Sequence, residues 1–228
     1  MEVRAIDRLR YSEWLTRIIP TLDTELARNL SGCSTVLDLG CGPNSPISRI
    51  NNLSRTVGVE PFEPYFDVAI RNNTHSELLM CTIAELDFAD GSFDAVILID
   101  VIEHMDHVDG LLTLEKAERW ARKKVIVNSP NGFVPQKSLD GNPLQEHKSG
   151  WSFNQMRQLG YRSVGLSGPK ILRHEVESNT MGNDLLTSIR FRPRLFWFIV
   201  AAILQPLTYR IPRIAFSLMS VKLLVNQT

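Results

Sequence analysis

The chain has 228 residues, 43% of them hydrophobic and 22% charged, with 25 basic and 25 acidic side chains. That length suits one α/β domain, or one domain with an appendage, and the composition excludes a disordered chain. Three unclustered cysteines, Cys33, Cys41 and Cys81, exclude a disulfide framework and a zinc knuckle of their own. The zero net charge conceals an asymmetry, because the last 44 residues carry six cations and no acid, leaving the first 184 at −6. An acidic body with a basic, apolar tail is not the footprint of a nucleic-acid binder. It fits anionic lipid better.

The opening segment, MEVRAIDRLRYSEWL, scatters charges and has no apolar core, so no secretory signal is expected and the chain reads as cytoplasmic, with reduced thiols. Residues 1–30 place Leu9, Trp14, Leu15, Ile18, Ile19, Leu22, Leu26 and Leu30 at helical spacing, broken once by Pro20. This predicts an N-terminal helical cover. Short apolar runs follow at Thr35–Leu39, Thr56–Glu60, Leu78–Thr82, Ala95–Ile99 and Lys124–Asn128, with helical stretches between them, Asp109–Arg122 the clearest. Runs of this kind predict parallel strands covered on both faces, hence a doubly wound sheet with ligands at the strands' carboxyl ends. Residues 129–150 are rich in Gly, Pro and Asn and predict a functional loop. A short helix (Ser152–Leu159) and two strands (Tyr161–Gly165, Lys170–Arg173) are expected next. In the tail, the uncharged Leu195–Leu204 and a second run, Ile214–Val221, are too short to span a bilayer. They predict two apolar helices lying in one leaflet, flanked by arginines, or packed on the body or on a second subunit.

The chemistry concentrates after the first strand. Val36-Leu37-Asp38-Leu39-Gly40-Cys41-Gly42 is a buried strand ending in an acid and a glycine turn, where a ligand approaches the backbone closely. Asp38 can accept from an ammonium group, and Glu60, 22 residues on, can take both hydroxyls of a ribose. The loop lacks the third glycine that admits a pyrophosphate, so a cofactor without phosphate fits better.

VLDLGCG, VGVEP, LDFADGSFDAVILIDVIEHM and VIVNSPNGF, in this order, resemble the class I S-adenosylmethionine-dependent methyltransferases over roughly residues 30–175. The resemblance implies an α/β, Rossmann-like seven-stranded methyltransferase sheet. The N-terminal helical cover would be residues 1–30, the cofactor-binding domain 31–175, and the C-terminal apolar helical appendage 185–228. It implies S-adenosylmethionine as cofactor. Asp38, Gly40, Cys41 and Gly42 would surround the methionine moiety, with Cys41 a small apolar filler, and Glu60 with Pro61 would meet the ribose. Thr82, Ile83, Ala84 and Glu85 would line the adenine, and Asp100 would lie beside the cofactor. Family members often carry Asp where this chain has Thr82, so the acceptor of the adenine amine stays open between Thr82, Glu85 and the backbone. Phe62 and Phe93 are expected in the core.

A sulfonium already activates its methyl group, so in-line positioning in a dry site does most of the work, and only a hydroxyl acceptor also benefits from a base. Candidate bases are Asp100, Glu103, His104 and His147, of which Asp100, His104 and His147 are retained as catalytic candidates. Asp100, Glu103, His104 and the downstream His147 also resemble the small-RNA 3′-end 2′-O-methyltransferases, which hold a divalent ion with two glutamates and two histidines. Asp100 replaces the first glutamate with a shorter arm, and the same Glu-His pair occurs in metal-free relatives, so no metal is expected and this set is the alternative. Trp151 is either a lid on the acceptor or the apolar start of a helix. Arg119–Lys124 reads as a solvated helix end. The runs VNSPNGFVPQ and DGNPLQEHKSGW resemble uncharacterised methyltransferases associated with surface-glycan biosynthesis.

The expected function is methyl transfer to a small or lipid-linked acceptor, a surface-glycan or quinone-type intermediate at the cytoplasmic membrane face. Peripheral membrane contact would run through residues 190–228, a tail avoiding lipid would favour a homodimer, and nucleic acid is not an expected partner. The alternatives are a metal-dependent RNA 2′-O-methyltransferase and a non-catalytic membrane scaffold.

Overall fold

The computed structural model describes residues 20–138, 141–174 and 188–224. Its centre is one sheet of β1 (Thr35–Leu39), β2 (Arg55–Val59), β3 (Glu77–Leu79), β4 (Phe93–Ile99), β5 (Ala121–Pro130), β6 (Arg162–Pro169) and β7 (Ala215–Leu223). The spatial order is β3-β2-β1-β4-β5-β7-β6, and β7 runs antiparallel to both its neighbours. The helices among the described residues are α1 (Leu22–Leu30), α2 (Glu63–Arg71), α3 (His107–Trp120), α4 (Phe153–Gln158) and α5 (Arg194–Arg210).

The two-residue period of an extended chain builds both layers. In β1, Val36 joins a cluster with Leu26, Leu30, Ile97, Ile126 and Met219, whereas the next residue, Leu37, joins Val57, Val96, Leu98, Leu114 and Trp120. One face is thereby covered by α1 and the other by α3. The central parallel strands β1, β4 and β5 are mainly apolar and buried through their middles because neither face sees water there. The doubly wound sheet predicted from the apolar runs is present, with the seven strands that the resemblance implied, and Phe93 is fully buried in it.

Helix α1 begins just past Pro20, where Thr21 and Thr24 exchange hydrogen bonds in a capping box. The other apolar positions of the predicted cover, Leu9 to Ile19, lie outside the described residues. The expected boundary between domain and appendage, at 175–185, falls within 175–187, also outside them.

The tail departs from expectation. Its first run does form a helix, α5, longer than predicted, but Ile214–Val221 is not helical: residues 215–223 are β7, hydrogen-bonded between β5 and β6. A mostly apolar run of eight residues suits a buried strand as well as a helix segment, and here two open strand edges decide the matter. The sheet therefore extends beyond residue 175, and the tail is not a separable pair of helices. A second correction concerns Tyr161–Gly165 and Lys170–Arg173, which are one strand, β6, followed by a single 3-10 turn at Lys170–Leu172. A bulge at Ser167 and Gly168, both at positive φ, shifts the register near the end of β6. Gln205 of α5 repairs the bulge, its amide oxygen accepting from the Gly168 N–H at 2.6 Å and its amide N–H donating to the Gly165 carbonyl at 3.0 Å. Both glycines are needed for packing as well, because a Cβ on Gly165 would lie 2.2 Å from the Thr208 carbonyl oxygen and one on Gly168 2.9 Å from that of Ala201. The backbone of α5 lies directly on β6.

Asp94 anchors the opposite end of the sheet. Its carboxylate accepts from the N–H (2.8 Å) and hydroxyl (2.9 Å) of Ser34 and pairs with Arg122 (3.0 Å) and Lys123 (3.2 Å). Arg122 and Lys123, read from sequence as part of a solvated helix end, thus belong to the start of β5. Burial opposes ionisation of Asp94, but these donors and cations outweigh it and hold the carboxyl well below its usual range. Replacing it leaves the Ser34 donors unpaired, so Asp94→Ala should lower the unfolding free energy in urea by about 2 kcal/mol near neutral pH. Because the folded-state pKa is depressed, the stabilisation is full above the unfolded-state value and fades as pH falls below it, so the difference between wild type and variant should narrow in acid. Equal urea midpoints at neutral pH would contradict this.

Candidate functional site

The carboxyl ends of β1, β2, β4 and β5 meet on one edge of the sheet. There the chain leaves β1 through Gly40 (φ 69°) and Gly42 (φ 60°), left-handed conformations that suit glycine. A Cβ on Gly40 would lie 2.7 Å from the side chain of Val101, so the loop packs tightly against the segment following β4. A Cβ on Gly42 would meet nothing within 4 Å, so the loop opens onto unfilled space on that side. The loop also couples to β2: the Cys41 N–H donates to the Val59 carbonyl at 2.9 Å.

Glu60 completes that coupling. One carboxylate oxygen accepts from the Gly42 N–H at 3.0 Å and the other from the Phe62 N–H at 2.9 Å. Burial pushes its pKa up, and the two N–H groups oppose that rise. Each carboxylate oxygen retains a second lone pair for a hydroxyl donor. Pro61 and Phe62 follow it, half-buried, at the start of α2. Cys41 is buried, as expected of a filler, and burial raises its thiol pKa.

Asp38, expected to accept from a ligand ammonium group, has protein partners at one of its two oxygens. Only 1% exposed, it accepts at Oδ2 from the Ser45 hydroxyl (2.5 Å) and sits 3.1 Å from His75 Nε2. His75 Nδ1 in turn meets the Thr74 hydroxyl at 2.9 Å, and the ring rests on Gly58, where a Cβ would lie 2.7 Å away. Asp38 thus ties the loop after β1 to the approach to β3, leaving only Oδ1 without a donor among the described residues. Ser45 and His75 carried no sequence signal, since neither belongs to the glycine motif.

The expected adenine segment forms a 3-10 turn, Ile83–Glu85, just past β3. Thr82 and Glu85 are exposed and close a capping box: Glu85 accepts from the Thr82 N–H and hydroxyl, both at 2.7 Å, and the hydroxyl contact leads in lowering its pKa. One Glu85 oxygen is therefore occupied locally. Lys116 of α3, unremarked in the sequence, donates to the Ala84 carbonyl at 3.0 Å and fixes this turn against the body.

Asp100 ends β4 at positive φ (54°), its N–H bonded to the Asn128 carbonyl. Asn128 also donates to Asp100 Oδ1 at 2.6 Å. Asp100 keeps accessible surface although protein surrounds it, as expected of a residue lining a cleft rather than bulk solvent. That burial raises its pKa to about 6, against the opposing Asn128 hydrogen bond. Next comes the 3-10 turn Ile102–His104, onto which the long loop folds back. The N–H groups of Lys148 and Ser149 donate to the Glu103 carbonyl, and the Trp151 indole donates to that of Ile102 at 3.1 Å. Trp151 is fully buried, stacks on His107 and packs against Gly110, so it is a core pin and neither an exposed lid nor part of α4.

This folding brings His147 over His104, with ring centroids 4.8 Å apart. Donor atoms of Glu103, His104 and His147 all lie within 4.8 Å of one another, while Asp100 stands outside the group. Glu103 is 2% exposed, its Oε2 has no partner among the described residues, and burial followed by the nearby Asp100 charge pushes its pKa well up. His147 Nδ1 faces the Val134 carbonyl at 2.6 Å and therefore carries the proton, leaving Nε2 a free lone pair. Burial, then His147, lowers the His104 pKa to about 4; burial lowers that of His147. Both rings are neutral near pH 7.

Residues 37–127 match the family described as Methyltransferase domain. The chain is 31% identical over 99 residues to the probable tRNA methyltransferase 9B of Mus musculus, an alignment covering 43% of this chain and 20% of that protein. It thus spans about a fifth of the curated relative's length. In structure it resembles the plantazolicin methyltransferase BpumL, solved with S-adenosylhomocysteine (14% identity, TM-score 0.53, 98% and 89% of the two chains). It also resembles the methyltransferase domain of bacterial CtHen1-C (17% identity, TM-score 0.53, 90% and 96% of the two chains). Residues 37–127 thus match a methyltransferase-domain family, and the fold is that of methyltransferase structures, one of them solved with S-adenosylhomocysteine, which is consistent with S-adenosylmethionine as cofactor. Its residues suit that cofactor: open space beside Gly42 admits a ligand against backbone, and Glu60 offers spare lone pairs for a diol.

The Asp38 and His75 side chains are buried from bulk solvent, so His75→Ala should destabilise the fold by about 2 kcal/mol or more in urea. A variant with unchanged stability would assign the pair no structural role.

Proposed function

We propose that the protein transfers a methyl group from S-adenosylmethionine to a small or lipid-linked acceptor. The observation that carries this reading is Glu60, held by the Gly42 and Phe62 N–H groups beside the unfilled space at the glycine loop. When bound, the cofactor would supply the electrophilic methyl. Glu60 would orient the ribose, the Thr82–Glu85 turn would border the adenine, and Asp38 would act mainly by holding the loop in shape. Asp100, with a pKa of about 6, is better matched to proton removal near neutral pH than His104, at about 4. For a hydroxyl acceptor, Asp100 takes the proton, and His104 and His147 orient the acceptor beneath the folded loop. The acceptor we favour is an amphiphile such as a prenyl-quinone precursor or a lipid-linked sugar at the membrane face, because the site loop adjoins an apolar, cationic surface.

Calorimetric titration with S-adenosylhomocysteine should show one site, and Glu60→Ala should weaken binding about 10- to 100-fold, as expected for charge-assisted hydrogen bonds to a diol. No heat from the wild type would overturn the reading. With a hydroxyl acceptor, Asp100→Asn should lower kcat about 100-fold or more while leaving cofactor binding in place. Isotope-labelled methyl groups, followed into the lipid, glycan and RNA fractions of cells with and without the protein, would identify the acceptor.

A second reading is favoured by the orphaned Oε2 of Glu103 facing two neutral imidazoles: these three residues hold a divalent cation that would polarise an acceptor hydroxyl. Under this reading, manganese or zinc should raise the melting temperature of the wild type and leave His147→Ala unaffected. Equal shifts in both proteins would remove it.

A further inference from the structure

Helix α5 has two unlike faces. Ala201, Gln205 and Thr208 are buried against β6, whereas Leu195, Phe196, Ile199, Ile203 and Leu207 are each about half or more exposed, Ile203 at 69%. These five recur at spacings of three and four, so they form one stripe along a helix roughly 25 Å long. Ile211 and Ile214, both 44% exposed, prolong the stripe through the following turn. Soluble proteins seldom leave such a contiguous apolar face without a partner.

Charge selects the partner. Arg190, Arg192, Arg194, Arg210 and Arg213 are all exposed around the two ends of the stripe, and none forms an ion pair among the described residues. No acid occurs after Asp184, so a second copy of this face would set arginine against arginine. An anionic bilayer surface instead offers hydrocarbon to the stripe and phosphate to the guanidiniums. No helix among the described residues is long and apolar enough to cross a membrane, so contact would be lateral.

The stripe also leads to the site. Asn131, which opens the loop carrying His147, donates through its side-chain amide to the carbonyls of Pro212, Arg213 and Ala215 at 3.0–3.1 Å. Arg213 lies 5.5 Å over the Phe153 ring, and Phe133, two residues past Asn131, is 56% exposed. The end of α5 and the acceptor loop are one connected surface.

We infer that the outer face of α5, continued through Ile211 and Ile214, docks on an anionic lipid surface and presents the acceptor loop to the headgroup layer. This deepens the proposed methyl transfer and rests on it. The partner is the lipid surface; the substrate class is a molecule resident in it. The docking surface lies outside every residue assigned to cofactor or catalysis, so the two can be tested apart.

The test is cosedimentation of the full chain with vesicles of phosphatidylcholine, with and without phosphatidylglycerol, for wild type and for Ile199→Glu/Ile203→Glu. Calorimetry with S-adenosylhomocysteine and sedimentation velocity are run on the same preparations. Wild type should bind the phosphatidylglycerol vesicles about tenfold or more tighter than the neutral ones, and less tightly as salt rises. The variant should lose that binding while titrating cofactor as wild type does. Equal vesicle binding by both proteins, or none by wild type that still titrates cofactor, overturns the docking surface alone. A concentration-dependent dimer abolished in the variant overturns it in favour of a second copy. Failure of wild type to bind cofactor rejects the methyltransferase reading instead.

Discussion

The carboxylate of Glu60 joins two loops that would otherwise move independently. By accepting from Gly42 and Phe62, it fixes the turn leaving β1 against the turn leaving β2. An N–H to carboxylate bond out of water is stronger than a neutral one, so the open space at Gly42 is held to a defined width. The glycines do not set that width alone, since their conformational freedom would admit several turns. Glu60 selects one of them.

Beneath this tie is a buried polar layer. Asp38, Ser45, His75 and Thr74 form a buried chain running from the glycine loop to the edge strand, and Asn128 holds Asp100 from the neighbouring strand end. Buried polar chains of this type rigidify a site because each member is costly to strip of its partner. The neighbouring loop, where the proposed acceptor would sit, is assembled differently. The 102–104 turn receives the folded-back loop through main-chain carbonyls and the Trp151 indole, and the histidines meet as a result. The tail closes the arrangement, since β7 inserts beside β5 and brings the end of α5 against Asn131.

Much of this was legible in the chain. The apolar runs located all five parallel strands up to β5, with β1 matching residue for residue, because strands buried on both faces are rich in apolar residues. The glycine motif and Glu60 were equally visible, since the spacing from Asp38 to Glu60 fits the pattern of a strand-end acid after each of two successive strands. The protein partners of Asp38 were not legible: a carboxylate near a strand end reads the same whether or not a buried histidine meets it, and His75 lies 37 residues away with no local pattern. The run 214–221 was misread as a helix because its length fits either structure, and only the open edges of β5 and β6 decide. Trp151 was undecidable from sequence for a related reason, as its partner Gly110 sits on a distant helix.

The account rests on Glu60 meeting a ligand diol while Asp38 stays with its protein partners. A crystal structure of the chain soaked with S-adenosylhomocysteine tests both halves at once. The expected density places the ribose hydroxyls on the Glu60 carboxylate, the amino-acid moiety beside Gly42, and Asp38 still bonded to Ser45 and His75. Ligand density elsewhere on the sheet, or an Asp38 side chain swung away from His75 to grip the ligand amine, would contradict it.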